Sequence, residues 1–494
     1  MTTMAVNPNH PIRQSPNHLI KFGTDGWRGI IAEDFTFENV KIVAQALTDY
    51  LIQPSAISHQ PSVVVGYDTR FLSDKFAEVF AKVLLANGVK AKLTAGVVST
   101  PALSFTVKNY NFDFGVMFSA SHNPAKYDGI KFRASYGGPA SVEVSKKIES
   151  YLGQNSPRFN EKVTVEKIDP LKGYLAYLRS RIDFDLLKKL RAKIVLDPLY
   201  GCGSGYLEEI LKNVVRCPYI VIRSIHSERD PLFGGLQPEQ VEHNLGELKK
   251  VVKKEKAFLG LAFDGDADRL GVVTDKGQYL TPHQVFPLLL DYLAKEKGWS
   301  GKVVQTVSLG YLSKRIAQKY GLPFEEVPVG FKYITEKMLK EDILIGGEES
   351  GGYGFRGGLP ERDGVLSGLL FLEMLAYTKK KPSELVVKLE KNFGKSYFLR
   401  EDLRLAEDSK IQRFKDLKIN ELMNLTIWKS ANLKISKILT IDGIKIIFSD
   451  DSWLLLRPSG TEPLFRLYAE TASVEKTKKL LAFAKKMIYN VCPK

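Results

Sequence analysis

The chain has 494 residues, 44% apolar and 26% charged, with a formal net charge of +15. That length exceeds what one core organises and implies roughly three or four domains, and the composition excludes disorder of the whole chain. The positive surplus does not mark a nucleic-acid-binding protein. The lysines of 249–254 and 476–486 are interrupted by apolar residues at helical spacing, and no zinc-finger or aromatic RNA-binding signature accompanies them.

Residues 1–18 form a polar tail rich in Pro and Asn, without the apolar segment of a signal peptide. No uninterrupted apolar stretch reaches the length needed to cross a bilayer. Three cysteines, Cys202, Cys217 and Cys492, are too few and irregular for a disulfide framework or a zinc site, which fits a reducing cytoplasm. Ser62–Asp68 then reads as a buried strand, followed by a helix over Lys75–Asn87 that Gly88 stops. Asp113–Phe118 is a second strand, running into Ser119-Ala120-Ser121-His122-Asn123-Pro124. The alternation repeats: a strand at Lys193–Asp197, then Gly201, Gly203 and Gly205 and a helix through Leu211, and a strand at Phe258–Phe263 entering an acidic loop. A further strand at Val303–Val307 precedes a helix over Tyr311–Tyr320. Such alternation implies mostly parallel α/β layers in three related units. Linkers are expected at Gly153–Pro170 and Gly394–Asp402. Antiparallel strands at Ile438–Ser449 and Ser452–Leu456 with a helix over Val474–Tyr489 make the last unit a small α+β domain. The expected domains are 19–165, 171–276, 277–395 and 403–494.

Three loops carry chemistry. In Asp264-Gly265-Asp266-Ala267-Asp268-Arg269, three carboxylates at alternate positions are costly to gather unless a cation neutralises them, and hard oxygen ligands suit magnesium or calcium. Gly265 is expected to let the backbone turn so that they converge. An EF-hand is excluded, because Arg269 stands where that loop needs glycine and Asp275 where it needs glutamate. Ser121 lies just past a buried strand, where open α/β sheets place ligands. Taken alone it reads first as a serine capping a turn. Arg457-Pro458-Ser459-Gly460-Thr461-Glu462-Pro463 offers a guanidinium fork, hydroxyls and backbone N–H groups to an anion, and reads equally as an ordinary turn.

Together with Phe22-Gly23-Thr24-Asp25-Gly26-Trp27-Arg28-Gly29 and Gly347-Glu348-Glu349-Ser350-Gly351, these loops follow one another in an order that resembles the α-D-phosphohexomutase superfamily of phosphoglucomutases, phosphomannomutases and phosphoglucosamine mutases. The resemblance implies three similar mixed α/β domains plus a smaller C-terminal α+β domain around a central cleft. It implies that Ser121 carries a phosphoryl group and that Asp264, Asp266 and Asp268 hold Mg2+ with a phosphoserine oxygen. Arg28, His122, Lys131 and Arg269 would line the reaction centre, with Lys131 or His122 as the base. Glu348 and Ser350 would bind sugar hydroxyls, Lys332 would contact substrate, and Arg457, Ser459, Gly460 and Thr461 would hold the non-reacting phosphate. The expected partner is a hexose phosphate, with hexose 1,6-bisphosphate as intermediate and activator, no nucleic acid or membrane, and a monomeric or dimeric protein. Ser119 stands where threonine is common in that family, and Gly352 where many phosphomannomutase-type members have histidine. Val329-Gly330-Phe331-Lys332-Tyr333 and Glu348-Glu349 look more like phosphoglucomutases and favour glucose. The alternatives are a mannose or glucosamine phosphate mutase, a glucose 1,6-bisphosphate synthase or, in a different class, a metal-dependent sugar phosphatase.

Overall fold

The computed structural model describes residues 20–23, 25–53, 59–404, 434–458 and 464–491. The tail 1–18, the phosphate-loop residues Ser459, Gly460 and Thr461, and Cys492 lie outside them. The first sheet contains β1 (Trp27–Ile30), β2 (Ser62–Tyr67), β3 (Lys90–Thr94), β4 (Phe114–Phe118), β5 (Tyr127–Ala134), β6 (Gly138–Pro139) and β7 (Glu166–Ile168). Its order is β1-β5-β4-β2-β3-β7, with β6 on β5. The second sheet is built from β8 (Ala192–Asp197), β9 (Ile220–Ser224), β10 (Leu259–Phe263), β11 (Leu270–Thr274) and β12 (Tyr279–Leu280), in the order β12-β11-β10-β8-β9. The third holds β13 (Lys302–Thr306), β14 (Phe324–Val327), β15 (Ile343–Gly347) and β16 (Tyr353–Phe355), ordered β14-β13-β15-β16.

One pattern recurs in all three. Each has a parallel trio with the first strand in the middle, and a fourth strand that returns antiparallel beside the third: β2, β3, β4 and β5; β8, β9, β10 and β11; β13, β14, β15 and β16. The turn between the third and fourth strands carries the serine loop in the first sheet, the acidic loop in the second and the sugar loop in the third. The parallel strands are apolar on both faces, as in Val63-Val64-Val65 of β2, because helices cover both sides. The helix Ser73–Ala86 turns Phe76, Ala77, Phe80, Ala81 and Leu84 inward at helical spacing, and Gly88 ends it in the left-handed region (φ 79°). Phe80 is fully buried with its ring edge-on to Phe118, 5.5 Å between centroids, so Phe80→Ala would cost about 3–5 kcal/mol.

The structure moves several expected boundaries. β7 falls inside the expected linker and pairs with β3, so the first unit runs to Ile168. β12 carries the second to Leu280. The expected strand over Ile438–Ser449 is a hairpin of two, turning at Gly443 (φ 83°). The fourth sheet contains β17 (Tyr397–Arg404), β18 (Ile435–Leu439), β19 (Ile444–Phe448), β20 (Trp453–Pro458) and β21 (Leu464–Thr471), ordered β17-β21-β20-β19-β18 and backed by the helix Val474–Val491. β17 occupies most of the segment read as a linker and is fixed along β21, which leaves Gly394–Ser396 as the connection.

One apolar cluster runs through the first three units, from Val64 and Tyr174 through Leu261 to Leu344, and reaches Trp453, Leu455 and Tyr468 of the fourth. The fourth has its own core between sheet and helix. It joins the third through apolar packing, with the Phe398 ring stacked on His283 at 3.8 Å, and through buried polar contacts. Glu470, fully buried, accepts hydrogen bonds from Trp453 Nε1 at 2.5 Å, from the Tyr311 N–H at 3.0 Å and from Ser396. Lys445 pairs with Glu326 at 2.6 Å, and Arg315 with Asp451 at 2.9 Å. Among the described residues, no helix is long and apolar enough to cross a membrane.

Asp363 caps the helix Gly364–Thr378 and accepts a hydrogen bond from the buried Tyr174 hydroxyl at 2.9 Å. Burial pushes its carboxyl up to about 7 from an ordinary 3.8. A carboxyl that holds its proton more tightly when folded stabilises the fold at low pH, and that contribution is lost as pH rises from about 4 to about 7. Asp363→Asn keeps the cap and removes the titration. In urea melts at pH 5 and pH 8, the variant should gain stability on wild type as pH rises, by on the order of a few kcal/mol.

Candidate active site

The serine loop leaves β4 at Phe118 and re-enters the sheet at Tyr127. Ser121 is buried with φ 52°, a left-handed conformation that a non-glycine residue holds only when its surroundings enforce it. Arg70 provides that enforcement. Its fully buried guanidinium donates to the carbonyls of Ser121 and Asn123 at 2.7 Å and of Pro124 and Tyr127 at 2.9 Å, and pairs with Asp68 at 3.1 Å. The Ser121 N–H donates to Ser119 Oγ at 2.9 Å. Arg70→Lys keeps the charge but loses the fork. It should cost about 3–5 kcal/mol in chemical denaturation and lower activity with it.

The acidic loop meets this one directly. Ser121 Oγ donates to Asp264 Oδ2 at 2.9 Å. Asp264, Asp266 and Asp268 are fully buried, with one oxygen from each within 4.8 Å of the others. The turn that gathers them is made at Ala267 (φ 57°), not at Gly265 as its sequence suggests. Gly265 is needed for closeness: a Cβ there would overlap the Ser121 carbonyl oxygen, and a Cβ on Gly201 would overlap Gly265 from behind.

Positive groups surround the three carboxylates. Lys131 stands on β5, opposite Met117 of β4, and its Nζ lies 2.6 Å from Asp266, 3.6 Å from Asp268 and 3.9 Å from Asp25. Arg269 Nε is 3.6 Å from both Asp264 and Asp268. Arg362 Nη2 is 2.7 Å from Asp268, and Thr100 donates to Asp266. Even so, Asp266 Oδ1 and both oxygens of Asp268 accept no hydrogen bond. Burial, then Asp268 and Asp266, push the Asp264 carboxyl well above the carboxylate range. Burial also opposes ionisation of Asp266, but the Lys131 ammonium overrides it and holds that carboxyl low. Clustered, buried, under-bonded hard oxygens are the donor set a magnesium-sized cation takes.

Around this centre, Arg28 Nη1 donates to Asn123 Oδ1 at 2.9 Å. Burial, followed by Arg269, Arg28 and Lys131, holds the His122 imidazole well below its usual pKa, and its Nδ1 has no hydrogen-bond partner. In the sugar loop, Glu348 Oε2 accepts from Arg362 Nη1 at 3.1 Å and Glu349 accepts from Thr306 Oγ1 at 3.1 Å. The Ser350 hydroxyl is buried and unpartnered. The sugar and acidic loops are tied by the Leu270 N–H donating to the Gly351 carbonyl at 2.9 Å. Lys332 is half-buried on the first turn of the helix Phe331–Lys340. Arg457, at the end of β20, is held by Asp442 at 2.8 Å, and Asp442 also accepts from the Val329 N–H at 3.0 Å.

Sequence reasoning missed Arg70, Thr100, Arg362 and Arg466. Arg466 stands directly across the strands from Arg457, and its Nε is buried without a partner. Like charges opposite one another in a sheet repel, so this pair is poised for an anion. The cross-strand spacing was its only signal, and it needs the register to be read.

Sequence models of the phosphoglucomutase/phosphomannomutase alpha/beta/alpha domains I, II and III match residues 19–158, 172–277 and 281–393, and that of the C-terminal domain matches 401–486. A phosphoglucomutase/phosphomannomutase of Thermococcus kodakarensis is 32% identical over 470 residues, spanning 94% of this chain and 98% of that one. A phosphoglucosamine/phosphogalactosamine mutase of Sulfurisphaera tokodaii is 32% identical over 478 residues, spanning 94% and 98%. A crystal structure from Thermus thermophilus, described as a candidate phosphomannomutase, superposes with a TM-score of 0.83 at 35% identity, covering 95% of this chain and 99% of that one. This chain therefore belongs to the phosphoglucomutase/phosphomannomutase family of phosphohexomutase enzymes.

Proposed function

We propose that the chain interconverts hexose 1-phosphate and hexose 6-phosphate, with glucose the favoured sugar, by carrying a phosphoryl group on Ser121 and passing through a hexose 1,6-bisphosphate. The observation that supports this most is Ser121 Oγ at 2.9 Å from Asp264 Oδ2, a hydroxyl of one sheet set on the buried carboxylates of another. Asp264, Asp266 and Asp268 would hold magnesium together with an oxygen of phosphorylated Ser121, and the ion would supply positive charge for the departing serine oxygen.

The chain's own groups do the rest. Glu348 and Ser350 hold sugar hydroxyls, while Arg457 with Ser459, Gly460 and Thr461 grips the phosphate that does not react, helped by Arg466 and Lys332. One sugar hydroxyl is thereby aimed at phosphorus. As its oxygen bonds to phosphorus, the bond from phosphorus to Ser121 Oγ breaks, and the hydroxyl proton passes to a base. Of the two candidates, the unpartnered Nδ1 of His122 supports it as that base, since Lys131 already donates to Asp266. Arg28 and Arg269 bring positive charge to the transferring group. The bisphosphate then turns, its other phosphate returns to Ser121, and the hexose phosphate isomer leaves. The fourth domain, tied to the third by the short connection Gly394–Ser396, is the part that would move for this. Free hexose 1,6-bisphosphate would activate the enzyme by phosphorylating Ser121.

A coupled mutase assay with glucose, mannose and glucosamine phosphates, each with its bisphosphate, tests this reading. Glucose phosphate is expected to give the highest kcat/KM. Preference for glucosamine phosphate would favour the second reading, supported by the similarity to the Sulfurisphaera enzyme. Net release of inorganic phosphate would contradict both.

A further inference from the structure

Arg362 stands one residue before the cap of the helix Gly364–Thr378, largely buried, and no sequence motif drew attention to it. One end of its fork, Nη2, lies 2.7 Å from Asp268 Oδ2 in the acidic loop and 3.7 Å from Asp25 Oδ2 in the first domain. The other, Nη1, donates to Glu348 Oε2 in the sugar loop at 3.1 Å. Its neighbour Glu361 does not compete for it at the loops, being held by Arg133 at 2.6 Å and Ser104 at 3.0 Å. The stem of Arg362 runs over Gly352, where a Cβ would overlap Arg362 Cδ and would meet no other residue so closely. Gly352 is not in the left-handed region, so contact with Arg362 alone makes glycine necessary there.

We propose that Arg362 is a positioning residue that couples cation occupancy of the acidic loop to the grip of the sugar loop, neutralising Asp268 until a divalent cation takes that carboxylate and then giving its fork to Glu348. The proposal rests on the reading of Asp264, Asp266 and Asp268 as a cation site. A guanidinium and a dication cannot both be close partners of one carboxylate without repelling each other. Arg362 therefore opposes cation binding, and by linkage the cation opposes the Asp268 contact of Arg362. Released from Asp268, the fork keeps its bond to Glu348 at 3.1 Å, with Asp25 as the other carboxylate in reach, and that bond fixes Glu348 for a sugar hydroxyl.

Magnesium titration of the unphosphorylated protein by calorimetry, without sugar, provides the test. Arg362→Gln is expected to bind magnesium about five- to tenfold more tightly than wild type. Gly352→Ala keeps every charge and displaces only the Arg362 stem, so it should tighten binding in the same direction and serves if loss of the guanidinium unfolds the chain. Damage to the fold would weaken binding instead. In wild type, magnesium should slow amide exchange over residues 347–352, and in Arg362→Gln it should not. Wild-type binding with no tightening in either variant overturns the coupling and leaves the cation site standing. No binding by wild type overturns both.

Discussion

Ser121→Ala is expected to lower mutase turnover by at least about four orders of magnitude, a loss of the size seen when a covalent nucleophile is removed. The fold should survive. The loop is held by Arg70 through the carbonyls of residues 121, 123, 124 and 127, none of which the substitution touches. The lost hydrogen bond to Asp264 is worth about 1 kcal/mol. A thermal melt within a few degrees of wild type, beside near-complete loss of turnover in the coupled assay, separates this result from unfolding. Retention of full activity would remove Ser121 as the carrier.

The second large effect concerns the cation. Stripping divalent ions with a chelator should lower the rate by roughly three orders of magnitude or more, because charge stabilisation of a departing oxygen is worth several kcal/mol. Added magnesium should restore it. Among the three carboxylates, Asp268 gives the cleanest substitution. Asp266 accepts hydrogen bonds from Lys131 and Thr100, and Asp264 accepts from Ser121 and the Arg269 N–H, so changing either disturbs more than ligation. Asp268 receives no such hydrogen bond, and its close partner is the Arg362 guanidinium at 2.7 Å, whose release on substitution would by itself favour the cation rather than weaken its binding. Asp268→Asn should raise the magnesium concentration for half-maximal rate by more than about tenfold, since even partners one step removed from a metal can matter that much. An unchanged magnesium requirement would exclude Asp268 as a ligand.

Much of this site is written locally. Phe114–Phe118, Leu259–Phe263 and Ile343–Gly347 are short apolar runs, each followed by a loop rich in oxygen donors, and each proves to be the third strand of the same fold unit. The acidic loop with Asp264, Asp266 and Asp268 can be read from its own residues as a cation site, whereas Ser121 alone reads as a turn cap, and Ser121 and Glu348 enter only through the resemblance of the motif order. What stayed hidden depends on approach between distant segments. Arg70 looks like any arginine after a strand until four carbonyls of another loop surround it. The need for glycine at 265 comes from the Ser121 backbone, 144 positions away in sequence, and the pairing of Arg457 with Arg466 exists only once β20 and β21 are in register. The segment Gly394–Asp402 misled for the same reason. Its polar alternation reads as a linker, yet it is the pattern of an edge strand, β17, with one face toward solvent.

The most direct measurement is peptide-mapping mass spectrometry of the purified chain after incubation with magnesium and glucose 1,6-bisphosphate. One phosphoryl group on Ser121, removed again by excess hexose monophosphate, is the predicted result. An unmodified Ser121 in protein that is turning over substrate, or a phosphoryl group on another residue alone, would contradict the account.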